Sequence, residues 1–550
     1  LEFAYDILGR LTKEASPQGA LAYDYDTLGN LTTLTLPTGQ HLNHLYYGSG
    51  HLHQLNLDGQ LISDMERDDL HREIYRTQGK LTSCFGYDAV GRKAWQYATT
   101  LPAEKLSQIQ NPLIKPERYV EHAYNSIHRR YEYDLAGELS RTFDKLRGEV
   151  SYEYEANGRL LEQNPEKRFE GEAFRYDAAG NRLNFNTSRF DHVKDNRLKE
   201  WRNHEYKYDA WGNLIEKIVG IVRWQTFTYD SENRLVKTET MANSQVETTS
   251  SYQYDSLGRR VGKQSNIKGQ TDQKHFLWQG LRMLREESPE QSSLYLYEPG
   301  SYAPLACVDQ REGETENTVY YYHTDQIGTP LEMTDAEGHI VWQAKYAPWG
   351  LIKQLVVNEV EQNLRFQGQY FDVETGLHYN TFRYYDPEIG RFITQDPIGL
   401  SGGDNLYLYA PNPYGWVDPL GWMPWGWNPD GMGHHMVPLK KANSVGLNEL
   451  GTKLKTPTFF PIPYEKGLHE ELHRAIRPDI GSLKGEWTKS ADELLEAAGR
   501  NLDSVAHIRG DLRIPATGEV IAKNVTPKDA YSALMGWYKK KTGNTNGGCK

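Results

Sequence analysis

The chain has 550 residues and a formal net charge of −12, with 37 tyrosines, 49 glycines and a mean hydropathy of −0.73. That length argues against one ordinary core and sets a prior of about three domains, while no run of about 18 apolar residues encodes a membrane-crossing helix. Cys84, Cys307 and Cys549 are scattered, form no CxxC pair and argue against a disulfide-stapled fold, which leaves buried or incidental thiols as their expected role.

The tyrosine and glycine content points to a β-rich protein with many turns and wet aromatic faces. The chain opens Leu1-Glu2-Phe3, in mid-repeat and without Met, so it reads as a fragment with any targeting segment upstream. From there Tyr-Asp-x-x-Gly-Arg/Asn-Leu recurs, with a period of about twenty residues that marks a repeat architecture. Copies start at Tyr5, Tyr25, Tyr87, Tyr133, Tyr154, Tyr176, Tyr208, Tyr229 and Tyr254, with degenerate ones at Tyr46 and Asp68. Each unit is predicted to be a β-hairpin. Asp closes the turn onto backbone N–H groups, Gly supplies positive φ (Asn233 stands in for it once), and the next strand resumes at Leu. One hairpin is not stable alone, so the units are expected to pair edge to edge into a long sheet. No chemistry is assigned to them. Residues 101–130 break the period and read as an insertion or loop. Further on, His323 and Asp325 lie in alternating strand sequence and read as hydrogen-bonded sheet residues rather than a catalytic pair.

The stretch 383–422 carries Asp-Pro-x-Gly twice, at Asp396-Pro397-Ile398-Gly399 and Asp418-Pro419-Leu420-Gly421, with a looser relative at Asp386-Pro387 and Gly390. Asp at i, Pro at i+1 and Gly at i+3 is type I turn chemistry. The sharper reading brings Asp396 and Asp418 together as two carboxylates that split into a general acid and a general base. This stretch, and with it essentially all of 1–422, resembles the Rhs/YD-repeat proteins. The resemblance implies a hairpin sheet wound into a hollow shell that encloses the C-terminal polypeptide. It also implies that Asp396 and Asp418 form an intramolecular aspartyl protease cutting between Trp422 and Met423 to release a toxin. Trp422 stands where the family usually has Leu.

Beyond Trp422 the chain carries four surplus positive charges, against sixteen surplus negative ones before it, which fits a nucleic-acid-directed cargo beside a compensating carrier. After a Pro/Gly/Trp-rich linker come Gly433-His434-His435 and, later, His469-Glu470-Glu471-Leu472-His473. The second cluster is predicted on a short helix, 464–476, stopped by Pro478, with His469 and His473 one turn apart on one face. This HH plus HxxxH arrangement resembles the ββα-metal (HNH) endonucleases. The resemblance implies that His435 is the general base and that His434, His469 and His473 hold one divalent ion (Zn, Mg, Mn or Ni). The central Asn of that family has no clear counterpart, Asn448 lying early. A capping box, Ser490 to Glu493, opens a helix over 491–500, and Thr526-Pro527 opens another through Trp537 to Lys539-Lys540-Lys541. His507, Arg509 and Arg513 are weaker candidates for phosphate contact.

The expected architecture is therefore mainly β: a repeat shell over 1–360, a core-associated segment with the autoprotease motifs over 361–422, and a small α+β HNH-like domain over 423–550. The expected function is an antibacterial toxin, made in a bacterial cytoplasm, exported by a secretion apparatus and active in the target-cell cytoplasm. It hydrolyses nucleic acid, DNA being favoured, and has two expected protein partners: the shell that retains it after cleavage and a cognate immunity protein. The competing reading is a YD-repeat surface, adhesion or carrier protein with a non-nuclease tail. The four histidines discriminate, since such a tail has no need of them. A zinc deaminase cargo lacks its PCxxC segment.

Overall fold

The computed structural model describes residues 1–48, 50–101, 125–164, 171–183, 193–220, 222–314, 316–422, 424–426, 436–437, 439–445, 447, 457–461, 466–480, 487–513 and 520–542. Contacts divide the chain into two compact units, Leu1–Gly86 with Ala94–Trp427, and Tyr87–Lys93 with Asn428–Lys550.

The first unit holds two 15-stranded sheets in which every strand pairs antiparallel with its neighbours in sequence. One runs from Glu2–Tyr5 to Glu172–Ala173, the other from Glu200–Trp201 to Ile352–Asn358. Wherever the motif carries Asp it builds the hairpin in the same way, while at Tyr154, followed by Glu155, the Arg159 N–H donates to Asn157 Oδ1 instead, at 3.2 Å. At the first copy the N–H groups of Leu8 and Arg10 donate to Asp6 Oδ1, both at 2.9 Å, and the Arg10 Nε–H donates to Asp6 Oδ2 at 2.6 Å. Asn233 and His71 occupy the glycine position with φ of 60° and 62°, so a non-Gly residue carries the left-handed bend in those copies. The register shifts by one residue at the motif tyrosine in hairpin after hairpin, a bulge that bends and twists the sheet.

The tyrosines tie each hairpin to the one before. Tyr25, Tyr154, Tyr176, Tyr229 and Tyr254 donate their hydroxyls to the carbonyls of Leu11, Leu139, Leu160, Leu214 and Leu235 at 2.6–2.8 Å. Where the preceding motif ends in Arg, its guanidinium covers the next tyrosine, as Arg10 does Tyr25 at 4.9 Å and Arg234 does Tyr254 at 5.4 Å. Of the rings expected to be wet, these five are half-buried because the ladder covers them, whereas Tyr5 in the first strand is exposed.

The two sheets meet through an apolar cluster, in which Leu34, Leu55 and Ile62 of the first pack with Leu284, Leu296 and Leu305 of the second. Ion pairs and hydrogen bonds continue the seam. Glu14 pairs with Arg259 at 2.6 Å, Arg76 with Glu298 at 2.8 Å, and the Lys80 N–H donates to the Ala336 carbonyl at 2.8 Å. Deepest are Arg129 and Glu332, both fully buried, with Arg147 also on Glu332 and Asp144 also on Arg129. Residues 370–392 form a separate four-stranded sheet packed on the second large one. Asp372 bonds Arg260 at 2.6 Å and Lys263 at 3.2 Å, and Asp386 bonds Lys217 at 2.8 Å.

One expectation about the strands needs correction. Of the proposed insertion 101–130, residues 102–124 lie outside the described residues, but Asn125–Tyr133 is a full strand pairing with Lys93–Thr99, so the break in period spans fewer residues than the composition implied. His323 and Asp325 are structural as anticipated. The ring Nε2 of His323 lies 2.9 Å from the Thr334 hydroxyl and burial lowers its pKa to about 3, while Asp325 caps a turn of the repeat type. Cys84 and Cys307 are buried free thiols.

The second unit is α+β. A three-stranded sheet, ordered Thr458–Pro461, Gly510–Arg513, Val520–Val525, shares an apolar core with helices Leu439–Ser444, Lys466–Ile480, Ala491–Gly499 and Pro527–Thr542. The capping box at Ser490 is formed in both directions. Helix Lys466–Ile480 carries Pro478 inside its last turn rather than stopping before it, and buried Ile476 and Ile480 on either side of the proline hold that turn against the core.

The Glu332 pairs give the fold its test. Glu332→Ala leaves two interior guanidiniums sharing the one carboxylate of Asp144 and is expected to lower stability by about 3–5 kcal/mol, read by chemical denaturation of the purified chain. A loss within experimental error would show that the buried pairs do not hold the two sheets together.

Candidate active sites

Arg383 lies in the third strand of the four-stranded sheet, and the two Asp-Pro motifs follow it in sequence. Each motif makes the expected turn. The Gly399 N–H donates to the Asp396 carbonyl at 2.9 Å and the Ile398 N–H to Asp396 Oδ1 at 3.0 Å. In the second, the Gly421 N–H donates to the Asp418 carbonyl at 3.3 Å and the Trp422 N–H to Asp418 Oδ1 at 2.9 Å. Turn formation therefore engages one carboxylate oxygen of each residue. The other oxygens converge on a single nitrogen of Arg383, at 3.2 Å from Asp396 Oδ2 and 3.4 Å from Asp418 Oδ2.

All three residues are buried, Asp418 completely. Arg383 further donates to the carbonyls of Gly421 and, at 3.0 Å, Leu406, and its guanidinium sits 3.6 Å over the Phe392 ring. Burial pulls the Arg383 pKa below its ordinary value, while the charges of Asp418 and Asp396 act in the other direction. The looser relative at Asp386 also forms a turn, but its carboxylate is spent on the Glu388 N–H and on Lys217.

The segment leading to the predicted cut is threaded between these groups. Asn380 Nδ2 donates to the Asp418 carbonyl at 2.7 Å, the Phe382 N–H to the Leu420 carbonyl at 3.3 Å, and the Trp422 indole stacks on Phe382 with centroids 4.3 Å apart and planes 14° from parallel. Gly402 lies where Asp396 Oδ2 and the Trp422 carbonyl oxygen come together, and a methyl group built on it would overlap both atoms. The carboxylate of one motif thus faces the carbonyl of the predicted scissile bond, and that of the other holds the N–H of the same residue. Two carboxylates held this way can divide into proton donor and proton acceptor across a peptide carbonyl. Met423 lies outside the described residues. Sequence reading named both aspartates and Trp422 but missed Arg383, Phe382 and Gly402. The one available signal was Gly402, a glycine at a position where the turn makes no demand for positive φ.

In the second unit His434 and His435 lie outside the described residues, and His469 and His473 are described only as helical positions, four apart in Lys466–Ile480. Met436 and Val437, directly after the HH pair, are buried in the same apolar cluster as Leu472 and Ile476 of that helix. The two residues that follow the HH pair thus share one core with the helix that bears HxxxH. Among the described residues no group of three or more His, Cys, Asp or Glu side chains is placed to hold a metal. The strand before the helix, Thr458–Pro461, pairs with Gly510–Arg513 from later in the chain, and helix Leu439–Ser444 lies between it and the HH pair. Arg509 and His507 are exposed just before that later strand, and Arg513 ends it opposite Thr458 and Val520.

Comparison with known proteins accounts for both units. Residues 117–401 match the model described as Teneurin YD-shell, residues 5–41 the RHS Repeat model, and residues 430–542 the model described as Toxin protein PT1. Curated relatives include "Double-stranded DNA deaminase toxin A" of Burkholderia cenocepacia, 42% identical over 76% of this chain and 30% of the relative. "Toxin protein Tse5" of Pseudomonas aeruginosa is 30% identical over 76% of this chain and 36% of its own. "Probable deoxyribonuclease RhsA" of Dickeya dadantii is 29% identical over 76% and 29%. The chain thus spans about a third of the length of these relatives. Among solved structures, the TcdB2-TccC3 crystal structure aligns with 76% of this chain and 24% of its own at a TM-score of 0.54 and 16% identity, a likeness of fold.

Proposed function

This chain belongs to the YD-shell family of Rhs polymorphic toxins, and from that membership we propose that it is a self-cleaving carrier of a metal-dependent, DNA-directed nuclease. The single observation that carries the cleavage half is the convergence of Asp396 and Asp418 on Arg383, with the Trp422 carbonyl beside Asp396. One carboxylate takes a proton from a water molecule as the water oxygen bonds to the Trp422 carbonyl carbon. The other gives its proton to the Met423 nitrogen as the C–N bond breaks, leaving a carboxyl group on Trp422 and an amine on Met423. Arg383 is the positioning residue, holding the two acids at one point. Because all the groups lie on one chain, cleavage is unimolecular. The shell retains the freed domain until delivery.

The toxin half is supported by the core that Met436 and Val437, directly after the HH pair in sequence, share with the helix bearing HxxxH. His434, His469 and His473 would hold one divalent ion. Their neutral imidazoles suit Zn, Mn or Ni better than Mg, and three ligands leave positions for phosphate and water. When bound, the ion polarises the scissile phosphate. His435 takes the proton of the attacking water, and Arg509 and Arg513 are the weaker candidates to hold the nucleic-acid backbone. The strand directly before the helix, Thr458–Pro461, pairs with Gly510–Arg513, so the proposal rests on the chemistry of the four histidines and not on a ββα hairpin. The producing bacterium makes the toxin in its cytoplasm, exports it through a secretion apparatus, protects itself with an immunity protein and delivers the nuclease to the target-cell cytoplasm.

Two experiments test these halves. Asp396→Asn or Asp418→Asn is expected to leave a single full-length band on a denaturing gel, and cutting at the wild-type rate in both variants would refute the aspartyl mechanism. For the toxin, residues 423–550 are expected to nick plasmid DNA with added metal and lose that activity in excess EDTA. His435→Ala should abolish nicking while metal still binds calorimetrically, whereas His469→Ala and His473→Ala should lose both. Nicking in EDTA, or deamination of cytosine in place of strand breaks, would overturn the nuclease reading.

A further inference from the structure

Gly402 stands at the end of a short 3-10 turn, Gly399–Ser401, with φ −80° and ψ −21°, a conformation open to any residue. Its lack of a side chain is therefore not a demand of the backbone. It is a demand of space, because a β-carbon would intrude between Asp396 Oδ2 and the Trp422 carbonyl oxygen. A second close approach lies upstream, where Gly368 backs directly onto the Pro419 carbonyl. On the other side the Trp422 ring lies flat on Phe382, whose own edge rests 3.3 Å from where Gly258 would carry a β-carbon. Residues 418–422 thus occupy a slot with two bare backbone walls and one aromatic floor, and the residue before the cut fills that floor.

We infer that Phe382 and Gly402 form the subsite for the residue on the acyl side of the bond, with Phe382 selecting a flat aromatic ring at position 422 and Gly402 admitting its carbonyl to Asp396. The inference rests on the self-cleavage reading and extends it to specificity. It also accounts for the Trp at position 422, since a ring stacked on a ring is held in one plane and its carbonyl with it. Phe382 is here a specificity determinant and Gly402 a positioning residue, neither touching a proton in transit.

The test is the time course of self-cleavage of the full chain during cell-free synthesis. Trp422→Phe is expected to cut at nearly the wild-type rate, and Phe382→Ala and Trp422→Ala to slow cutting by up to about tenfold each, the worth of one aromatic pair. The double variant should be no slower than either single one, because the two changes remove the same contact, and Phe382→Tyr should restore the rate. Gly402→Ala should cut at least about a hundredfold more slowly, by analogy with other misplacements of reacting groups, while the shell keeps wild-type protease resistance. Additive slowing in the double variant, or a wild-type rate in Phe382→Ala, overturns the subsite even if Gly402→Ala fails to fold. If Asp396→Asn itself cuts normally, the self-cleavage reading falls first, so the two failures are told apart.

Discussion

The architecture of the first unit depends on one local device, an aspartate that closes a turn with one carboxylate oxygen and spends the other on a neighbour. In the repeats the first oxygen takes the backbone N–H groups two and four residues on, and the second takes the Arg or Asn that ends the motif, as at Asp6, Asp26 and Asp230. At Asp230 desolvation is the largest single effect and at Asp6 and Asp26 the second, yet the hydrogen bonds together outweigh it and hold the three carboxyl pKa values below the ordinary range. Repeated along the chain and joined by tyrosine hydroxyls, the device builds two 15-stranded sheets from hairpins that are not stable singly.

The Asp-Pro motifs use the same device with the second oxygen redirected. At Asp396 and Asp418 it leaves the local turn and goes to Arg383, so that two distant turns are joined at one guanidinium. The turn reading and the carboxylate-pair reading of these motifs are not alternatives, since each oxygen serves one of them. A structural element that recurs without chemistry thus becomes, by a change of partner, the centre of a candidate reaction. The cost of burying these charges is offset because each acid keeps a backbone donor as well as the shared cation.

How much was legible in the sequence follows from the range of the interactions. The turn at each Tyr-Asp copy is local, and its Asp, its Gly and even Asn233 behave as the sequence indicated. The strand at Asn125–Tyr133 was hidden because its partner, Lys93–Thr99, lies across an insertion that breaks the period. Pro478 stayed inside its helix because tertiary packing of Ile476 and Ile480 overrides the local penalty. Arg383 was the least legible residue. A fully buried arginine is defined only by its partners, and those lie in turns that the sequence separates from it. In the second unit the α+β class, the capping box and the helix bearing His469 and His473 were readable from local pattern, whereas the strand order was not, because Thr458–Pro461 pairs with a strand from the far end of the domain.

Self-cleavage requires that the peptide bond beside Asp396 be broken by the chain itself, and carriage requires that the pieces stay together. Intact-mass spectrometry of the natively purified chain, taken from a single size-exclusion peak, reads both at once. The expected result is two polypeptides meeting at Trp422 and Met423 that elute together at physiological salt and separate only under denaturant. A single uncut species of 63.2 kDa in that peak would contradict it.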